Sequence, residues 1–273
     1  MRLLNRRPGR SVAIALAALP FVIAFLAYVW GSQARLAENP NDKLLPSLAQ
    51  MAGAVERMAF TEDRRSGEYL FWTDTLHSLR RLALGVGLSA LSGLIFGLAV
   101  GLLPAVRSTL SGFIAVLSLI PPLALLPILF IVFGLGEVAK VTLIVVGITP
   151  FLIRDLAQRT LELPGEQLIK AQTLGAGTWQ IVVRVALPQI LPRLIGALRL
   201  ALGPAWLFLI AGEAIAATGG VGYRIFLVRR YLAMDVILPY VAWITLLAFA
   251  IDLMLRLLSQ RAFRWAHANG EGL

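Results

Sequence analysis

Few residues in this chain are equipped for chemistry. Two carboxylates, Glu213 and Asp252, fall inside long apolar stretches. A charge at mid-bilayer costs about 2.5–3.5 kcal/mol on insertion scales, so each acid must face a partner or water. Asp252 has Arg256 four residues on, and an ion pair along one helix accounts for it. Glu213 has no local partner and sits among Gly212, Ala214, Ala216 and Ala217; a buried structural hydrogen bond and a place on a transport pathway both fit. Neither acid has a nucleophile–base pair in reach, so the chain does not read as an enzyme. Cysteine is absent and the two histidines, His77 and His267, lie near opposite ends, which removes thiolate chemistry and argues against a metal centre. No cofactor is called for. Gly85–Ala90 and Gly134–Ala139 have the G-x-G-x-x-A form of a dinucleotide loop, but neither follows a strand in a βαβ unit. No G-x-x-x-x-G-K-[ST] loop occurs, so ATP hydrolysis by this chain alone is not expected.

The elements that carry these residues follow from composition. Of 273 residues 58% are hydrophobic and 15% charged, with a mean hydropathy of +0.79. That balance excludes disorder and coiled coil and leaves an all-α integral membrane protein. A bilayer core of about 30 Å needs roughly 20 apolar helical residues. Six stretches qualify, near 12–30, 82–103, 110–133, 138–156, 194–217 and 236–255. The fourth is the weakest, since Lys140 and Arg154 flank its apolar centre and Pro150 lies within it. Pro121 and Pro122 remove two backbone donors in the third and should kink or break it, as happens where a helix lines a cavity. Gly93, Gly97 and Gly101, with Ser89 before them, put small residues on one face of the second span for close helix packing.

Orientation rests on lysine and arginine. Arg2, Arg6, Arg7 and Arg10 precede a short first span, which places the N-terminus, and after six crossings the C-terminus, in the cytoplasm. Residues 1–30 read as an uncleaved anchor rather than a signal peptide. The net charge of +10 and pI near 11 are then topology signals; no basic cluster alternates with aromatics as nucleic-acid binding would need. Two polar segments remain. In 31–81, after the turn-like stretch 38–42, Leu44, Leu48, Met51, Val55, Met58 and Ala59 recur at helical spacing and predict a surface helix, either lying on the membrane interface or docking a partner. In 157–193 the spacing predicts a helix over 166–174, a turn at Gly175-Ala176-Gly177, and a helix capped by Thr178 and ended by Pro188. The division expected is an anchor and extracytoplasmic segment over 1–81, a core over 82–258 with a loop at 157–193, and a tail over 259–273.

That loop carries a resemblance. Ile169 to Gly175, then nine residues, then Val185-Ala186-Leu187-Pro188 resembles the "EAA" loop of ATP-binding-cassette importer permeases, with Ile169 and Lys170 where the family has Glu and Ala. Leu45-Pro46-Ser47, Ser78-Leu79-Arg80-Arg81, Pro121-Pro122-Leu123-Ala124, Phe133–Glu137, Gly196–Arg199, Ala205-Trp206, Gly212-Glu213 and Gly219–Tyr223 are similar to the nitrate/sulfonate/taurine-type branch. The resemblance implies a MetI-like fold of six transmembrane helices with a cytoplasmic helix–turn–helix coupling loop, in the inner membrane. It implies a second permease copy, two ATPase subunits, an extracytoplasmic solute-binding protein and surrounding lipid as partners. Coupling residues would be Glu166, Lys170, Ala171, Thr173, Leu174, Gly175, Ala176, Leu187 and Pro188. The pathway would draw on Pro121, Pro122, Trp206 and Glu213, and the binding protein would dock near Ser47, Tyr223 and Arg224.

The alternatives are a secondary carrier or channel, which would need several intramembrane acids or repeated halves, and a structural subunit without a pathway. The expected solute is a small nitrogen or sulfur compound. Arg224, Arg229 and Arg230 would attract an anion, whereas an ionised Glu213 would disfavour one.

Overall fold

The computed structural model describes residues 9–40, 42–64 and 66–267. Arg2, Arg6 and Arg7, Asn41 of the predicted turn, and the last six residues of the tail lie outside that set. The described residues are helical or in turns throughout, with no strand. They form two compact units, one from the described residues up to 69 with 228–240, the other from 70–227 with those from 241 to 267.

In the first unit α1 (Arg10–Glu38) is apolar along its length and buries none of its most apolar window, as suits a helix facing lipid. Its end is tied to the following chain: the Tyr28 hydroxyl donates to the Pro46 carbonyl at 2.6 Å and Ser32 donates to the Leu45 carbonyl at 3.0 Å. The expected surface helix is α2 (Leu48–Phe60), which buries Ala54 and Ala59. Ser47 and Gln50 start it with a reciprocal capping box: each side chain accepts the other residue's backbone N–H, at 3.2 and 2.7 Å.

The second unit is built on α3 (Leu70–Leu102) and α6 (Glu137–Leu161). A Cβ added at Gly85, Gly93 or Gly97 would lie 2.7–2.8 Å from side-chain atoms of Ile144, Leu152 and Leu156, and Gly101 abuts Thr160 in the same way. The small-residue face predicted from Gly93, Gly97 and Gly101 is therefore the seam between these helices. The partner moves forward along α6 as the glycine moves forward along α3, so the two helices run in the same direction. The chain leaves α3 at the Thr160 end of this pair and must re-enter α6 at the Glu137 end. The intervening helices, α4 (Pro104–Leu117) and α5 (Leu126–Phe133), thus cross its length rather than returning to the side they left. They are bent by 82° at Pro121-Pro122 and the 3-10 turn Pro122–Leu125 that follows. The predicted third span is a broken one, as two successive missing donors require.

Beyond them come α7 (Gly165–Thr173), α8 (Thr178–Ile181), α9 (Leu187–Ala216), α10 (Val221–Arg229), α11 (Met234–Ala262) and α12 (Arg264–His267). Helix α9 runs antiparallel to α6, with Phe208 against Gly147 and Gly212 near Leu143. By length and composition four helical stretches could cross a membrane: α1, α3, α8 to α9, and α11; the bent pair makes a fifth. Helix α6, with Glu137 and Lys140 near one end and Arg154, Asp155 and Arg159 near the other, is not one of these, yet runs beside α3 from end to end.

Four expectations change. The second span begins twelve residues early, at Leu70, because its polar first turns find buried partners. Pro188 does not end a helix: a π-helical turn over Val182–Ala186 joins α8 to α9, and the wider turn accommodates the missing Pro188 donor. Gly177, not Thr178, caps α8, its N–H donating to Gln180 Oε1 at 2.9 Å. Asp252 pairs with Arg199 on α9, through bonds of 2.7 and 3.0 Å, rather than along its own helix with Arg256. A carboxylate takes the guanidinium whose two-pronged geometry fits, wherever the sequence carries it.

Candidate functional site

The polar start of α3 makes the first site. Asp74, Ser78 and Arg81 recur at spacings of four and three on one helical face, and each is buried. They meet the turn between α9 and α10. Asp74 Oδ1 accepts the Gly220 N–H at 2.9 Å, Ser78 Oγ accepts the Val221 N–H at 2.8 Å, and Glu213 accepts the Gly222 N–H at 2.8 Å. Three orphan donors of the α10 N-terminus are thereby satisfied by side chains. Gly220 has φ +129, and a Cβ there would strike the Glu213 carboxyl at 2.6 Å, so only glycine fits.

Glu213 is fully buried, and its oxygens also accept from Ser78 at 2.8 and 2.9 Å and from Arg81 Nη1 at 2.6 Å. Arg81 goes on to donate to Glu137 through two nitrogens, at 2.6 and 2.8 Å, and to the Gly219 carbonyl at 2.7 Å. Lys140 donates to Glu137 at 3.0 Å, and Arg224 to Asp74 at 2.7 Å. Three cations and three carboxylates balance. Of the two readings open for Glu213, the structure supplies the buried hydrogen bonds, and its side chain is enclosed by the chain's own residues. Arg224, expected on a docking surface, spends its guanidinium on Asp74, with 15% of its side chain exposed. Tyr223 beside it is half-buried.

The sequence hides this cluster because Arg81 and Arg224 fall outside the six apolar stretches. The signal available was the Asp74/Ser78/Arg81 spacing. Trp206 is 5% exposed, and neither its Nε1–H nor Thr149 Oγ1, on helix α6, has a hydrogen-bond partner among the described residues. A buried donor left unmade costs about 1–3 kcal/mol, so such a group calls for a reason. Pro121 and Pro122 lie at the break between α4 and α5.

The second site is the α7 turn. Helix α7 matches the predicted 166–174 to within a residue, with Glu166 in its first turn and Lys170 in its last, both suited to the helix dipole. A Schellman motif closes it: Gly175 N–H donates to the Gln172 carbonyl at 2.9 Å and Ala176 N–H to the Ala171 carbonyl at 3.0 Å. Gly175 has φ +80, as that motif requires, and nothing within 4 Å of where its Cβ would be. Thr173 Oγ1 donates to the Lys170 carbonyl at 2.8 Å. Leu174 at the tip is 88% exposed, with Trp179 at 76% and Ile169 at 61%. Gln189, just past Leu187 and Pro188, donates to Gln167 at 2.9 Å and fastens α7 to the start of α9.

Residues 89–264 match the family described as "Binding-protein-dependent transport system inner membrane component". The chain belongs to this family. It is 33% identical to the taurine transport system permease protein TauC of Escherichia coli over 94% of its own length and 91% of that protein. It is 29% identical to the putative aliphatic sulfonates transport permease protein SsuC of Bacillus subtilis, over 70% of this chain and 69% of that one. It is 32% identical to the nitrate import permease protein NrtB of Synechococcus elongatus, over 55% and 54%. Among solved structures, an inward-facing MetNI methionine ABC transporter has a chain that superimposes with a TM-score of 0.55 at 22% identity, covering 72% of this chain and 97% of that one. These relatives are transport permeases, not enzymes, and the shared fold is MetI-like. The chain is an inner-membrane permease component of an ABC importer.

Proposed function

We propose that two copies of this chain form the pathway of an ATP-driven importer, with two cytoplasmic ATPase subunits below and an extracytoplasmic solute-binding protein above. Both termini and the α7 turn lie in the cytoplasm. The carrying observation is that turn: a tip fixed by backbone hydrogen bonds that holds Ile169, Leu174 and Trp179 outward. Apolar side chains rigidly presented outside the spans suit a groove on a partner, and Gln167–Gln189 passes load from the tip to α9. Closure of the ATPase pair then moves α9, and the α3–α6 pair packed on it, as one body and gives alternating access.

On this reading Glu166, Lys170, Ala171, Thr173, Leu174, Gly175 and Ala176 make the ATPase contact, and Leu187 and Pro188 begin the helix that carries its force. Pro121 and Pro122 break the helix that lines the pathway. Trp206 offers a neutral N–H that a solute oxygen or water would satisfy, and Glu213 braces the wall from behind. Ser47, Tyr223 and Arg224 mark the segments the binding protein meets. The names of the relatives support a small sulfur- or nitrogen-containing solute of the nitrate, sulfonate or taurine type; a small amide or guanidinium-like compound belongs to the same proposal without support from those names.

The test is purification of the tagged chain in mild detergent, with mass spectrometry of what accompanies it. An ATPase subunit should be recovered and should be lost with Gly175→Asp. Aspartate tolerates positive φ better than most residues, so the fold survives while a charge enters the contact. A chain recovered alone, transporting in ATP-free vesicles, would make it a secondary carrier.

A further inference from the structure

At the Thr160 end of the α3–α6 pair, two adjoining clefts of about 310 and 200 Å³ run along one face of α9, and they share Arg159 and Arg193. Arg159 is held by Asp155 at 2.8 Å and Arg199 by Asp252 at 2.7 Å. Glu162, also on the wall, accepts from Gln158. Arg193 is half-buried and has neither ion pair nor hydrogen bond among the described residues. Arg199 and Asp252 line the second cleft at the level of Leu200 but neutralise each other, so the uncompensated charge falls along the helix. Arg193 comes first, with the half-exposed Trp265 beside the same cleft; then Gly196, where an added Cβ would meet nothing within 4 Å; then Leu200, 68% exposed. From Arg193 to Leu200 is seven residues, about 10 Å of helix.

We infer that this face is a binding site for one anionic phospholipid, its phosphate on Arg193 and an acyl chain lying over Gly196 and Leu200. A phospholipid presents the same sequence of chemistry over the same distance: a charged headgroup at the interface and hydrocarbon below. Basic clefts between transmembrane helices at the membrane surface take such headgroups, and an interfacial tryptophan sits at headgroup depth. A guanidinium whose neighbours are already paired is free to make a charge-assisted bond to phosphate. The inference needs only that the chain is in a membrane and is independent of how it couples to ATP.

The full-length chain in mild detergent is titrated with phosphatidylglycerol, with phosphatidylcholine of the same acyl chains, and with inorganic phosphate, and adducts are read by native mass spectrometry. Phosphatidylglycerol should be retained as a single adduct about tenfold more tightly than phosphatidylcholine. Arg193→Gln should abolish that preference. Gly196→Leu, whose Cβ would meet nothing within 4 Å, puts apolar bulk into the slot and should weaken both lipids while leaving the melting temperature at or above wild type. Equal retention of the two lipids by the wild type, or a preference that survives Arg193→Gln, overturns the proposal. So does phosphate competing at the same concentration with no effect of Gly196→Leu, which would mean a free-anion pocket. A wild-type dimer that excludes lipid and is dissociated by Gly196→Leu would assign the face to a second copy and overturn it too.

Discussion

Truncating Glu213 to alanine would leave the Arg81 guanidinium enclosed with one of its two carboxylates gone, and the Ser78 and Gly222 donors without an acceptor. Removing one partner of a buried pair typically costs about 3–5 kcal/mol. Glu213→Ala should therefore lower the melting temperature in detergent sharply, and an unchanged melting temperature would mean the cluster does not hold the α9–α10 turn. Trp206→Phe makes the opposite prediction. It keeps the ring and removes an N–H without a partner among the described residues, so stability should hold or rise while the uptake KM shifts; unaltered uptake would exclude Trp206 from solute contact. Asp42 gives a pH signature outside the spans. The Leu44 N–H and Arg35 hold its carboxyl below the ordinary value of 3.8. Its contribution is thus complete above about pH 4 and is lost only as pH falls through the lowered native value. Amide exchange at Leu44, corrected for its intrinsic rate, should stay protected down past pH 4, and Asp42→Asn should remove that dependence.

Among the elements, the α3–α6 seam is the most sensitive to volume. Gly97→Leu puts a side chain where a Cβ alone would sit 2.7 Å from Leu156, so the helices must separate and folded protein in the membrane should fall severely. Gly87→Ala on α3 and Gly112→Ala on α4 meet nothing within 4 Å and should be neutral or gain about 0.5–1 kcal/mol from helix propensity. Equal tolerance at Gly97 and Gly87, read as membrane level and melting temperature, would show that the seam is not close-packed. The seam was legible beforehand because small residues four apart share a face in any helix. The helix it packs against was not, since nothing in a stripe of glycines names its partner. The junction of α8 and α9 failed for a local reason: a proline reads as a stop unless a wider turn takes up its missing donor.

For the whole molecule, the proposed orientation is open to a direct check because the chain has no cysteine of its own. With a single cysteine at Glu56 or at Leu174, both exposed, an impermeant maleimide should label the first in intact spheroplasts and the second only after the membrane is opened. The reverse pattern would place the α7 turn outside and end its assignment as the ATPase contact. The even crossing number behind that orientation rests on the broken α4–α5 pair, which must traverse because α3 and α6 run in parallel.

By itself the sequence determined the membrane class, the apolar segments, the seam glycines and the shape of the α7 turn. Each depends on local quantities: hydropathy summed over a helix, small-residue spacing, and a glycine free to take positive φ. Tertiary structure alone decided where the charges go. Glu213 finds Ser78 and Arg81 more than 130 residues away, Asp252 prefers Arg199 to its near neighbour, and the first turns of α3 are helical because Asp74, Ser78 and Arg81 are satisfied there. A charge inside a membrane protein is settled by whichever opposite charge or dipole the packing brings within about 3 Å. That distance is a property of helices assembled together, and no single segment carries it.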